Sequence, residues 1–107
     1  MMKPAAFAAL AVLATAFPAL AAEQTVVQQG QAFSSSSLTL HPGDKLNFNN
    51  EDDVTHNITV KGGADGDVDD LGLQKPGKMV SYVFDTKGAY RVICSIHPKM
   101  KMTVNVQ

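Results

Sequence analysis

HPGDKLNFNNEDDVTHNITV, residues 41–60, is the stretch whose reading decides the fold. It opens on a turn, His41-Pro42-Gly43-Asp44, where Pro and Gly reverse the chain. KLNFN (45–49) follows, with Leu46 and Phe48 alternating with polar residues. That period of two belongs to a half-buried strand, not to a helix. NNEDD (49–53) supplies a second turn, and NITV (57–60) begins a second strand.

The same alternation recurs in both directions from this stretch. TVVQQ (25–29) and LTLH (38–41) precede it, and VSYVF (80–84), AYRVIC (89–94) and MTVNV (102–106) follow. No window carries a convincing helical period, and KPGK (75–78) and DTKG (85–88) add further turns. Short strands at this spacing predict an all-β sandwich or barrel. Phe33 is a candidate core residue, the serine run 34–37 a strand edge or loop, and Met79 ordinary strand packing. KGGADGDVDDLGLQ (61–74), rich in Gly and Asp, reads as a surface loop. Its Asp65, Asp67 and Asp69 imitate the opening of a calcium loop, but Asp70 stands where Gly is needed and Pro76 where Glu is needed.

The N-terminus says where the protein resides. Lys3 is followed by an uncharged, alanine-rich apolar run that ends in Ala19-Leu20-Ala21, the pattern of a secretory signal peptide. A membrane span needs about 20 consecutive apolar residues, and Pro18 interrupts this run. Residues 1–21 are therefore expected to be removed, with cleavage after Ala21 or Ala22, and residues 22–107 to form one exported, periplasmic domain without a membrane span. About 85 residues leave room for one small core. Without Lys3 the chain has eight basic and ten acidic side chains, a balance that argues against nucleic acid as a partner.

Exported domains of this size often rely on disulfides, yet Cys94 is the only cysteine. It stands in CSIHPKMKM (94–102), beside His97, Met100 and Met102, in the connection between two predicted strands. Thiolate and imidazole are strong equatorial donors for copper, and a thioether suits a weak axial contact. A second imidazole is needed, and His56, between a turn and the strand NITV, is the candidate. His41 has no neighbouring donor and reads as a surface residue.

These two segments resemble the blue (type 1) copper proteins of the plastocyanin, amicyanin and pseudoazurin group, the cupredoxins. The resemblance is carried by Pro42-Gly43-Asp44, Asn50, His56-Asn57, Gly88, Tyr90 and Cys94, and by the short amicyanin-like loop Cys94, His97, Pro98, Met100. It implies a Greek-key β-sandwich of about seven to eight strands holding one copper ion. The implied ligands are His56, Cys94, His97 and Met100. Asn57 is implied to tie the ligand-bearing loops together, and Tyr90 reads as a core or corner aromatic. One departure concerns the axial donor: Met102 stands where short-loop members usually have Gly, and at the position of the axial Met in longer-loop relatives. Met100 is preferred because its spacing to Val104 and Val106 follows the short-loop pattern, with Met102 as the alternative.

Four protein ligands leave no open position for a substrate, so the expected role is electron shuttling by Cu(I)/Cu(II) cycling and not catalysis. Partners would be transient redox proteins, such as a c-type cytochrome or a dehydrogenase, meeting a monomer near His97. Ile96 and Pro98 would give that surface an apolar character, with Lys99 and Lys101 at its rim facing an acidic partner. The alternative role is copper binding or delivery on the same fold, kept open by the paired methionines.

Overall fold

The computed structural model describes residues 20–107. The signal peptide expected over residues 1–21 lies, but for its last two residues, outside the described residues.

Nine strands follow in order: β1 (Glu23–Gln29), β2 (Ala32–Phe33), β3 (Ser37–Leu40), β4 (Asp44–Asn50), β5 (His56–Gly62), β6 (Asp67–Gln74), β7 (Met79–Phe84), β8 (Gly88–Ile93) and β9 (Lys101–Val106). They form two sheets, ordered β2-β1-β4-β7 and β3-β9-β8-β5-β6. The chain changes sheet five times, between β2 and β3, β3 and β4, β4 and β5, β6 and β7, and β7 and β8, the crossing pattern of a Greek-key sandwich. β1 runs parallel to β4 and β3 parallel to β9, while the other neighbours are antiparallel.

The core lies between the sheets and is built from the alternating residues. Val26, Leu46, Phe48 and Phe84 come from one sheet; Leu40, Ile58, Val60, Val92, Met102, Val104 and Val106 come from the other. Phe33 packs against this cluster, its ring edge-on to Phe48 at 6.1 Å. Tyr90 lies against Phe84 and donates its hydroxyl hydrogen to the Thr86 carbonyl at 2.6 Å, so it serves as the expected corner aromatic.

Two expectations need correction. The segment 61–74 is not a loop: β5 runs on to Gly62 and β6 pairs with it, Lys61 opposite Val68 and Val60 opposite Asp69. β6 is an edge strand with one buried residue, Gln74, and backbone pairing alone does not require apolar alternation. Its aspartates suit an edge, where charge opposes pairing with another chain. Together with the two-residue β2 it raises the strand count among the described residues to nine. Met79 is not packed inside: it is 51% exposed, because β7 turns Val80, Tyr82 and Phe84 toward the core and Met79, Ser81 and Val83 away from it.

The turn before β4 is held by Asp44. Its carboxylate accepts the backbone N–H of His41 at 2.8 Å and that of Ala22 at 2.9 Å, and these bonds hold its carboxyl below the usual range. A depressed carboxyl stabilises the fold fully above its ordinary value of 3.8, and that contribution fades as pH falls through the lower folded value. Urea midpoints of the native protein should therefore decline below about pH 4. Asp44→Asn should be less stable at neutral pH and show a smaller decline, and identical pH profiles would contradict this role.

Candidate metal centre

Three donor side chains converge at one end of the sandwich. His56 is the first residue of β5, placed by the turn that follows β4. Buried Asn50 shapes that turn: its amide donates to the carbonyls of Val54 at 2.9 Å and Gln74 at 3.0 Å, and its Oδ1 accepts the N–H of Asp52 at 2.9 Å. Cys94 stands just beyond β8, and His97 lies in the connection to β9. Cys94 N donates to the Met100 carbonyl at 3.1 Å, His97 N to Cys94 O at 3.2 Å, and Met100 N to His97 O at 2.9 Å. These bonds fold the loop back on itself and turn His97 toward Cys94.

The distances suit a shared ion. His56 Nδ1 lies 3.1 Å from His97 Nδ1, and the Cys94 sulfur lies 3.9 Å from the former and 3.6 Å from the latter. Imidazole nitrogens about 2.0 Å and a thiolate about 2.3 Å from one first-row ion, in a trigonal plane, stand about 3.5–3.7 Å apart. The observed separations bracket that spacing. Among the described residues this is the only group of three or more His, Cys, Asp or Glu donors so closely placed, all within 4.8 Å of one another. Cys94 and His56 are fully buried and His97 is half-buried, so His97 is the donor nearest to solvent.

The surroundings hold these donors in place. The backbone N–H of Asn57 donates to the Cys94 sulfur at 3.2 Å. Asn57 Oδ1 accepts the N–H of Ser95 at 3.2 Å and the Thr59 hydroxyl at 2.6 Å, while its amide donates to Asp70 at 2.8 Å and the Gly72 carbonyl at 3.0 Å. Asn57 thus ties the His56 strand to the Cys94 loop and both to β6, as a residue supporting metal ligands should. Asp52, which the sequence marks only as part of the turn 49–53, accepts a hydrogen bond from His56 Nε2 at 2.6 Å. Partial burial pushes its carboxyl up, but hydrogen bonds from His56, Gln31 and Gly30 outweigh this and leave it below the usual range. As an ionised acceptor it leaves His56 Nδ1 free to face the other two donors. No pattern in the sequence marked it, since Asp52 and Asp53 read alike in the turn.

Met100 and Met102 are both 1% exposed, but their surroundings differ. Met102 belongs to the main core between the sheets. Met100 lies outside that cluster and borders a surface depression together with Gln31, Ile96, His97, Pro98 and Lys99. His41 is exposed and stands apart from the three donors.

A two-sheet Greek-key sandwich with a His-Cys-His cluster at one end, two of its donors buried and one half-buried, defines a cupredoxin, and copper is the metal this donor set suits. The model of the copper binding proteins of the plastocyanin/azurin family matches residues 21–107, and the chain belongs to that family. It is 32% identical over 98 residues to the methylamine utilization protein MauL of Methylorubrum extorquens, covering 92% of this chain and 85% of that protein. It is 36% identical over 67 residues to MauL of Methylophilus methylotrophus, covering 61% of this chain but only 38% of that longer relative. Amicyanin from Paracoccus versutus superposes with a TM-score of 0.70 at 22% identity, over 86% of each chain, a likeness of fold.

Proposed function

We propose that the protein is an exported type 1 copper protein that carries single electrons, with His56, Cys94 and His97 as equatorial ligands and Met100 as the axial one. The convergence of three donor atoms in a buried, hydrogen-bonded cluster carries this reading. Copper, when bound, supplies a one-electron change between Cu(I) and Cu(II). The chain keeps the donors in one arrangement: Asn57 fixes the Cys94 sulfur and the adjoining loop, Asp52 fixes His56, and burial excludes water from both. A site that moves little on changing charge opposes transfer little. Four protein donors also leave no place for a substrate, so the reading is a carrier and not an enzyme. Placing Met102 in the main core favours Met100 as the axial donor.

His97 is the route for the electron, being the donor nearest to solvent. Around it Ile96 is 47% exposed, and Pro98, Lys99 and Lys101 are exposed as well. This suits brief docking with an acidic redox partner through a small interface. The similarity to the MauL proteins, named for methylamine utilization, supports a redox partner without identifying it. Residues 22–107 are read as the single working domain, and residues 1–21 as its export signal to the periplasm.

Stopped-flow mixing of the reduced copper protein with an acidic one-electron protein oxidant tests carrier and docking together. Expected is a bimolecular oxidation that slows as salt rises, with a weaker salt dependence when Lys99→Glu and Lys101→Glu are combined. An unchanged salt dependence would overturn the docking face. Transfer of copper in place of an electron would support the delivery reading.

A further inference from the structure

The turn between β1 and β2 has an unusual backbone. Gly30 (φ 63) and Gln31 (φ 55) both adopt the left-handed conformation, and Gln31 is the only non-glycine to do so among the described residues. Two such residues in succession match the tight hairpin turn, but a residue with a side chain is strained there unless its surroundings fix it. Both N–H groups point at one carboxylate. Gly30 N donates to Asp52 Oδ1 at 2.6 Å and Gln31 N donates to Oδ2 at 3.0 Å. The same Oδ2 accepts from His56 Nε2 at 2.6 Å, and 9% of the Asp52 side chain is exposed.

We propose that Asp52, clamped by the Gly30–Gln31 turn, is a positioning residue for the metal centre that fixes the Nε2–H form of His56 and favours Cu(II) over Cu(I) by its negative charge. The inference rests on the copper reading above. A shielded carboxylate on the far side of the ring makes Nδ1 a stronger donor, which favours the more highly charged ion. In Asp52→Asn one oxygen can still accept from His56 Nε2 and Gln31 N, so the ring is held while the charge and the bond from Gly30 N are lost. Asp52→Ala removes the acceptor as well as the charge. The hairpin turn, remote in sequence from every ligand, thereby becomes part of the support of the site.

Two measurements test this. In the metal-free protein, nitrogen NMR of His56 should show the proton on Nε2, and Asp52→Ala should lose that fixed form. In the copper-loaded protein, Asp52→Asn should still bind one copper, weaken Cu(II) binding about 10–100-fold and change Cu(I) affinity less, so that the reduction potential rises. A wild-type proton on Nδ1, or an unchanged ratio of Cu(II) to Cu(I) affinity in Asp52→Asn, would overturn the proposal. Failure of the wild type to bind copper would instead overturn the copper reading, and the NMR result, obtained without metal, would still decide how Asp52 holds His56.

Discussion

Cys94→Ala should abolish the intense thiolate-to-copper absorption of the Cu(II) protein and leave two imidazoles that bind the ion weakly. Loss of a residue that merely supports a ligand costs about 10–100-fold in metal affinity, and loss of the thiolate itself should cost more. The fold should survive, because the exchange removes one sulfur from a loop end and leaves the main core, to which Cys94 does not belong, intact. Circular dichroism should match the parent while a copper titration monitored in the visible shows no blue species. A variant that stays blue with parental affinity would mean that the sulfur seated 3.6–3.9 Å from both imidazoles is not a ligand.

The largest expected loss of stability follows from Phe48→Ala. Phe48 is fully buried at the middle of β4, between β1 and β7, with the ring of Phe33 against it. Truncating a buried Phe costs about 3–5 kcal/mol in lost transfer energy and residual cavity. A domain of this size has about 5–15 kcal/mol in all. Urea denaturation should show an unfolding free energy lowered by that amount, read as a lower midpoint with little change in slope. Copper binding should weaken as well, because β4 ends in the turn that delivers His56 to the site. A loss below about 1 kcal/mol would mean that the core tolerates the gap by collapse, contrary to the packing described.

How much of this was legible depends on which physical signal each element carries. β4, β8 and β9 bury alternate residues against the opposite sheet, so Leu46 and Phe48, or Met102, Val104 and Val106, reveal their strands by period alone. β6 buries almost nothing and exists by backbone pairing at an edge, so its Asp and Gly residues read as a loop. Met79 shows the reverse error: an apolar residue gives its type but not its face, and the parity of β7 turns it outward. The donors at the metal centre were readable because Cys, His and Met are scarce and their spacing is distinctive. Asp52 was not readable, since a turn aspartate has the same letter whether it faces water or an imidazole. Its role depends on Gly30 and Gln31 reaching it from another strand connection.

The central claim is that three side chains from two distant parts of the chain grip a single copper ion. X-ray absorption at the copper edge of the loaded Cu(II) protein tests it most directly. The account predicts one copper per chain with one short sulfur contact and two imidazole nitrogens, the sulfur lost in Cys94→Ala and one nitrogen lost in His56→Ala. A shell of light atoms without sulfur, or one unaltered by the His56 substitution, would contradict it.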